Sequence, residues 1–187
     1  MATVYYTATS LDGYIADEHN SLEWLFEVDR EHESGDTSFT KFFSRIGAMA
    51  MGATTYLWVL DHENLLEEPE RWRGYYGDTP CWVFTHRELP TIPDVDVRFV
   101  QDDVLPVHED MCVAAQGKDV WLVGGGDLVG QFADEALLDE IIVGIAPVTL
   151  GAGAPLLPRR MSARQLELLD VRRDRQFVNV SYRVRHA

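Results

Sequence analysis

The sequence predicts an α/β protein with a mostly parallel central sheet, helices on both faces and an antiparallel C-terminal hairpin at one edge. Through the first three quarters of the chain, short apolar runs alternate with segments of helical periodicity, which is the pattern of β-α-β crossovers. Two β-rich runs close the chain, and the second alternates cleanly between apolar and polar residues. A length of 187 residues suits one domain spanning 1–187.

Each element follows from local pattern. Strands are expected in the runs ATVYYTATS, AMAMG, TPCWVFTH, VDVRFV, VWLVGGG, DEIIVGIAPVTLG, LELLDVRRD and QFVNVSYRVRHA. Helices are expected at 36–47, 53–60, 108–117 and 127–138, and the first has Phe39, Phe42, Phe43 and Ile46 at helical spacing. The remaining segments 10–24, 62–78 and 151–158 read as loops, and we expect 62–78 to be a mobile surface insertion.

Composition limits the class of partner. The formal net charge of −15 argues against nucleic acid and anionic membrane surfaces, since both are bound through Lys and Arg. No apolar run approaches the length of a membrane span, and the N-terminus lacks the regions of a signal peptide. Cys81 and Cys112 fit neither a disulfide framework nor a metal site, and no His pair has metal-ligand spacing. We therefore expect a cytoplasmic protein without a metal.

Three consecutive glycines, Gly124 to Gly126, stand between a predicted strand and a predicted helix. Ligands of open α/β sheets bind beyond the carboxyl ends of the strands, and glycine lets a ligand approach backbone N–H groups. The positive end of the helix then favours an anion, so this is a phosphate site that needs no lysine. The alternative is a tight turn without a ligand. The spacing departs from G-x-G-x-x-G, because Gly130 comes one residue late.

Two other predicted strands end in groups that suit a phosphate. The groups are Gly52, Thr54 and Thr55 in MGATTYLW, and Thr85, His86 and Arg87 in VFTHREL. Hydroxyls at a helix start and a guanidinium after a strand can both bind phosphate oxygens, although helix capping and an ordinary polar loop are the simpler explanations of each stretch alone. Three such strand ends in one sheet favour a nucleotide.

Taken together, these stretches resemble the dihydrofolate reductase superfamily, and most closely the branch similar to the C-terminal reductase domain of the riboflavin-biosynthesis deaminase-reductase. The carrying stretches are TATSLDGYIAD, Trp24, MGATTY, VFTH, VWLVGGGDLVGQF and IAPVTLGAGAPLLP. They occur in the family's order over nearly the whole chain, and they are specific as a set. The resemblance implies a dihydrofolate-reductase-like three-layer fold and NADPH as the cofactor.

The resemblance also assigns cofactor contacts. The implied contacts are Val123, Gly124, Gly125, Gly126, Asp127 and Leu128 at the pyrophosphate, Gly52, Thr54 and Thr55 at the second phosphate-binding helix, Thr85, His86 and Arg87 near the adenosine ribose and its phosphate, and Ile15 and Ala16 beside the nicotinamide. One position departs from the family, which often has arginine after the glycine of MG-x-x-T, where this chain has Ala53. Either NADPH is not preferred over NADH, or Arg87 takes over.

The reacting groups follow less directly. Reduction of a C=N or C=O bond needs a proton source, and the candidates are Asp36, which is otherwise a helix N-cap, and Asp12 of SLDG, which is otherwise a turn residue. The aromatic side chains expected to wall a flat heterocycle are Trp24, Phe39 and Tyr56. For Phe39, a place in the core is the simpler alternative.

These observations lead to one function and two alternatives. We expect an NADPH-dependent reductase that transfers a hydride to a pyrimidine- or pterin-like heterocycle. The alternatives are a non-catalytic nucleotide-binding protein on the same fold and a purely structural α/β domain. The terminal strand QFVNVSYRVRHA further suggests self-association of a sheet edge, so we expect a homodimer unless that edge is covered within the chain.

Overall fold

The computed structural model describes residues 1–28 and 38–186. An eight-stranded sheet runs through the centre in the order β5-β4-β3-β6-β1-β7-β10-β9. The strands are β1 Thr3–Thr9, β2 Tyr14–Ala16, β3 Ile46–Gly52, β4 Cys81–Phe84, β5 Val97–Val100, β6 Asp119–Gly124, β7 Glu140–Ile145, β8 Ala154–Pro155, β9 Leu166–Asp174 and β10 Phe177–Val184. The helices are α1 Glu23–Glu27, α2 Ser38–Phe43, α3 Ala53–His62, α4 Glu70–Tyr76, α5 Val104–Ala115 and α6 Gly126–Asp134.

Strand direction confirms the predicted class. Strands β5, β4, β3, β6, β1 and β7 pair in parallel, whereas β10 is antiparallel to both β7 and β9. The terminal hairpin therefore extends one edge of a parallel sheet. Because parallel strands end on the same side, the residues after β1, β3, β4 and β6 meet at one edge, where ligands of such sheets bind.

Alternation along the strands builds a core on each face of the sheet. Tyr5 is fully buried against α5 and α6, together with Leu122 and Phe132. The neighbouring Val4 belongs to the other face, where Met49 and residues of α3 and α4 form a second cluster. Both faces are apolar, which explains why the central strands read as continuous hydrophobic runs.

Segment 62–78 corrects one prediction. It is not a loop throughout, because it contains α4, and its Leu65 and Trp72 are each only 1% exposed although most of its other residues lie at the surface. Trp72 packs edge-on against Tyr76, with ring centroids 4.7 Å apart. Because acidic residues separate Leu65 from Trp72, the sequence did not reveal that this segment is amphipathic. Among the described residues, no helix combines the length and apolar character that crossing a bilayer requires.

The two loops at 10–24 and 151–158 also contain structure. Tyr14–Ala16 pairs with Ala154–Pro155 as a small antiparallel sheet, and α1 follows in the first segment. The predicted helix at 36–47 is shorter than expected, because Ile46 already belongs to β3. Strand β2 brings Ile15 and Ala16 beside the carboxyl ends of the parallel strands.

Candidate functional site

A cavity of about 1020 Å³ lies at the carboxyl edge of the parallel strands. Its walls come from the ends of β1, β3, β4, β5 and β6, from the starts of α3 and α6, and from the small β2–β8 sheet. The hairpin β9–β10 closes one side. A cavity of this size is in the range of known cofactor and substrate sites, and it lies where the glycines predict a ligand.

Two helices direct their N-termini into this cavity. Gly52 is the N-cap of α3 and Gly125 is the N-cap of α6, and neither end has a side-chain capping hydrogen bond. Thr54 and Thr55 in the first turn of α3 line the cavity, as do Asp127 and Leu128 of α6. The backbone N–H groups and helix dipoles at both ends suit a group that carries several negative charges.

Glycine occupies each of the positions 124, 125 and 126 for a different structural reason. Gly124 has φ 136, a region that side chains rarely adopt, and its peptide bond to Gly125 is cis. Gly126 is required by packing, because a Cβ there would lie 2.3 Å from the Pro155 carbonyl oxygen. Gly125 has φ −76, and within 4 Å its Cβ would meet only the Ile15 Cδ1, at 3.9 Å. Its bare backbone leaves space open to a ligand.

Gly130 has a separate role. A Cβ at this position would lie 2.7 Å from the guanidinium carbon of Arg159. Arg159 crosses α6 there and binds Asp127 at 3.2 Å and Asp134 at 2.8 Å. These carboxylates hold the pKa of Arg159 above its ordinary value. The glycine that came one residue late for a dinucleotide fingerprint therefore accommodates Arg159.

The three residues after β4 lie partly inside and partly outside the cavity lining. Thr85 and His86 line the cavity, but Arg87 does not. The Thr85 hydroxyl accepts a hydrogen bond from the Arg87 N–H at 3.0 Å, and Arg87 lines a shallow groove beside Phe99 that adjoins the cavity at Thr85 and Gln101. Gln101 and Asp102, after β5, stand in the cavity wall instead.

The aromatic wall differs from the prediction. Phe39 lines the cavity, whereas Tyr56 is fully buried and donates its hydroxyl to the Pro90 carbonyl at 2.7 Å. Trp24 is 6% exposed and does not line the cavity itself; it packs in a small cluster with Val28, directly behind the lining residues Ala8 and Phe177. Trp58, one turn after Thr54, takes the place expected of Tyr56. Side chains three or four residues apart share a helix face, so the register of α3 was the missing information.

Trp58 is held by aromatic stacking. Its ring lies 4.4 Å from that of His62, and the Phe26 ring lies 4.9 Å from His62 on nearly parallel planes. Phe26 belongs to α1, so the stack joins α1 to α3 at the cavity rim. The sequence did not single out Trp58 or Phe26, because contacts between distant segments leave no local pattern.

The two predicted acids have different outcomes. Asp36 lies outside the described residues. Asp12 does not line the cavity, because its carboxylate accepts hydrogen bonds from the Ser10 hydroxyl at 2.6 Å and from the N–H groups of Leu150 and Gly151 at 3.1 and 2.8 Å. These bonds lower the pKa of Asp12 below its ordinary value. This geometry is that of a turn residue that ties two loops together.

The sequence missed the contribution of the terminal hairpin. Its turn and the start of β10 bring Asp174, Arg175, Phe177 and Asn179 into the cavity wall. The alternation of QFVNVSYRVRHA predicts a strand, but not which end of the sheet its first residues reach. Thr7 and Gly144, on β1 and β7, complete this side. In the part of the chain that the structure describes, no cluster of three His, Cys, Asp or Glu has the arrangement of a metal site.

The comparison with protein families now decides the family. A model of the RibD C-terminal domain matches residues 57–179, which include the ends of β4 and β6 and the start of α6. The chain belongs to this RibD C-terminal domain family. The glycines and the Thr85–His86 strand end thus lie within the matched part, whereas β1, β2 and Gly52 precede it.

Relatives and solved structures agree with the family. The chain is 31% identical to the uncharacterized protein YwjB of Bacillus subtilis (strain 168) over 180 residues, or 96% of both proteins. A protein attributed to riboflavin biosynthesis in Shewanella sp. PV-4 superimposes with a TM-score of 0.81 at 26% identity, with both chains fully covered.

More distant structures share the fold. The deaminase/reductase of Thermotoga maritima gives a TM-score of 0.62 at 18% identity, with 98% of this chain and 56% of that chain covered. Dihydrofolate reductase of Enterococcus faecalis, in complex with NADP(H), gives 0.58 at 13% identity, with 99% and 97% covered. The fold of this RibD C-terminal domain is therefore that of dihydrofolate reductase.

Proposed function

We propose that the protein is an NADPH-dependent reductase that transfers a hydride to a pyrimidine- or pterin-like heterocycle. The observation that carries the proposal is the meeting of two uncapped helix N-termini, at Gly52 and Gly125, in one cavity. The chain carries a net charge of −15, so a polyanion needs a local source of positive potential. The two helix ends supply that source without a lysine.

The residues present fit a dinucleotide phosphate group. The space beside the Gly125 backbone is open, and a Cβ would occupy it. Backbone N–H groups at the start of α6 and the hydroxyls of Thr54 and Thr55 would hold the pyrophosphate. Thr85 and His86 lie at the end of the neighbouring strand β4, where they would contact the adenosine ribose. Ile15 and Ala16 would then cover the nicotinamide, which supplies the hydride when NADPH is bound.

The remaining side of the cavity would hold the heterocycle. Trp58 and Phe39 offer flat apolar faces, and Thr7, Gly144 and Asn179 form the opposite wall. Burial of a planar ring between such surfaces excludes water from the reacting atoms. Asp36 keeps its place in the proposal as the proton source, and Asp36→Asn tests that role through the pH profile of turnover.

A second function is favoured by one observation. Asp12 is bound into a turn, and Asp174 is the carboxyl residue that the described residues place on the substrate side of the cavity. With Asp12 held in this turn, a nucleotide-binding cavity in which Asp174 does not protonate a substrate fits a non-catalytic nucleotide-binding protein. Nucleotide binding without turnover on any heterocycle would support this second function.

NADPH oxidation with a panel of reducible pyrimidines and pterins tests the enzyme directly. The loss of absorbance at 340 nm should depend on the heterocycle, and it should be lost in Gly125→Val, whose side chain fills the space beside the backbone. Val178→Ala, on the opposite face of the hairpin, serves as the matched control. Oxidation that continues unchanged in Gly125→Val would contradict the proposed cofactor position.

We also propose a homodimer formed through the outer hairpin. Leu168 and Val171 of the edge strand are 55% and 56% exposed, and they continue the sheet face that is buried at Val143. An isologous contact between two copies would cover this apolar surface. Light scattering should give the mass of a dimer for wild type and of a monomer for Leu168→Asp. An equal mass for the two proteins would contradict a dimer formed through this surface.

A further inference from the structure

Asn179 and Gly144 form a cross-strand pair on the substrate side of the cavity. They are paired across β10 and β7, and Gly144 is paired in turn with Ala8 of β1. The three residues therefore lie side by side on one face of the sheet, and all three line the cavity. Two small residues thus stand beside one carboxamide.

Gly144 creates the room that Asn179 occupies. A Cβ on Gly144 would lie 2.9 Å from the Asn179 Oδ1 and 3.6 Å from the Phe177 Cδ1. Gly144 is absent from the glycines with positive φ, so its own backbone does not demand glycine. The neighbouring carboxamide and ring do.

The carboxamide is available to a ligand. Across residues 1–28 and 38–186, Asn179 makes no side-chain hydrogen bond, whereas Arg173 and Arg183 on the same hairpin do. Asn179 is half-buried and faces the cavity. A carboxamide presents a donor and an acceptor in one plane, and polar groups of this kind fix orientation in otherwise apolar pockets.

We propose that Asn179 determines substrate specificity by binding the hydrogen-bonding edge of the heterocycle. Pyrimidine and pterin rings carry a ring N–H beside a carbonyl oxygen, which matches the two halves of a carboxamide. The terminal hairpin would then be part of the substrate site as well as the edge of the sheet. This inference rests on the proposed reductase function, and it assigns recognition of the reductase substrate to Asn179.

A matched pair of probes tests the proposal. 6-Hydroxymethylpterin and 2,4-diamino-6-hydroxymethylpteridine differ at the 4-position, which is oxo in one and amino in the other. Calorimetric titration into NADPH-saturated protein should show binding, and Asn179→Ala should weaken both probes by about tenfold or more, since two net hydrogen bonds are lost. Asn179→Asp offers acceptors alone, so it should weaken both probes, because each presents one donor and one acceptor at this edge.

Gly144→Ala, on strand β7, tests the contact between the Asn179 carboxamide and the heterocycle without changing Asn179. Its Cβ should displace the carboxamide and weaken the probes while Asn179 is still present. Combining it with Asn179→Ala should add little further loss, because both changes remove one contact. Val178→Ala, which alters the opposite face of β10, should leave probe affinity unchanged. Thermal denaturation of each variant shows that the fold is retained.

The outcomes separate this inference from the proposed function. Unchanged NADPH affinity in Asn179→Ala, with probe binding weakened, supports both. NADPH binding with equal probe affinity in wild type and Asn179→Ala, or with no probe binding in wild type, overturns the role of Asn179 alone. Absence of NADPH binding in wild type overturns the proposed function and this inference together.

Discussion

Gly52 and Gly125 lie side by side in the cavity wall: a Cβ built on Gly52 would lie 3.8 Å from the Gly125 amide nitrogen. The two residues cap different helices, on strands β3 and β6 that are neighbours in the sheet. Neither has positive φ, and in neither case would a Cβ strike another atom closely. Packing and backbone conformation therefore do not require glycine at either position, whereas the proposed phosphate ligand at the two helix ends would require it.

Substituting Gly125 and Gly126 separately should split binding from stability. Gly125→Ala should leave the melting temperature nearly unchanged and weaken NADPH binding about tenfold or more, because the Cβ enters the open space. Gly126→Ala should cost about 1–3 kcal/mol of unfolding free energy, because its Cβ meets the Pro155 and Leu156 carbonyls. Thermal denaturation and nucleotide titration measure the two effects. Equal destabilisation by both changes would contradict the distinction.

Ala53→Arg should raise the preference for NADPH over NADH. Ala53 begins α3 and lines the cavity, whereas Arg87 is not among the lining residues. A guanidinium here would add charge-assisted hydrogen bonds to the extra phosphate, worth about 1.4 kcal/mol or a tenfold change in affinity ratio. Ala53→Gln has similar length without the charge and should give no such shift. If Ala53→Arg leaves the ratio unchanged, the extra phosphate lies away from α3.

Tyr56→Phe should affect stability and not ligand binding. The change removes the hydrogen bond to the Pro90 carbonyl, which should cost about 1 kcal/mol of unfolding free energy. Burial raises the pKa of Tyr56 to about 12, so its hydroxyl stays a neutral donor over the working pH range. Chemical denaturation and substrate titration of the same variant provide the measurement. A change in substrate affinity without a change in stability would show that Tyr56 contributes to substrate binding, and would contradict this prediction.

Asp12→Asn should reveal a pH-dependent contribution to stability. Hydrogen bonds from the Ser10 hydroxyl and the Gly151 N–H hold the Asp12 pKa below its ordinary value of 3.8. A group with a lowered folded-state pKa stabilises the protein above its unfolded-state pKa, and this contribution is lost as pH falls through the folded-state value. The melting-temperature gap between wild type and Asp12→Asn should therefore be widest near pH 7 and close below about pH 4. A gap that widens in acid would contradict the assignment.

The sequence predicted the parallel sheet and the glycine-lined strand end because both are local signals: apolar runs, glycines and helix starts. It did not predict Trp58 as the aromatic wall, because choosing between Tyr56 and Trp58 requires the orientation of α3 against the sheet. The sequence also did not show that a hydrogen bond between Thr85 and Arg87 turns the chain after β4, so that Arg87 is not among the cavity-lining residues. Asn179 was not singled out because its position in the cavity wall depends on pairing with Gly144, which lies 35 residues earlier in the chain.

Calorimetric titration of NADPH into the wild-type protein and Gly125→Ala tests the central claim most directly. We expect micromolar binding to wild type, with affinity reduced about tenfold or more in Gly125→Ala at an unchanged melting temperature. Binding of equal strength in both proteins would place the nucleotide elsewhere. No binding to wild type would leave the meeting of the two helix ends without a ligand, and the reductase proposal would fall with it.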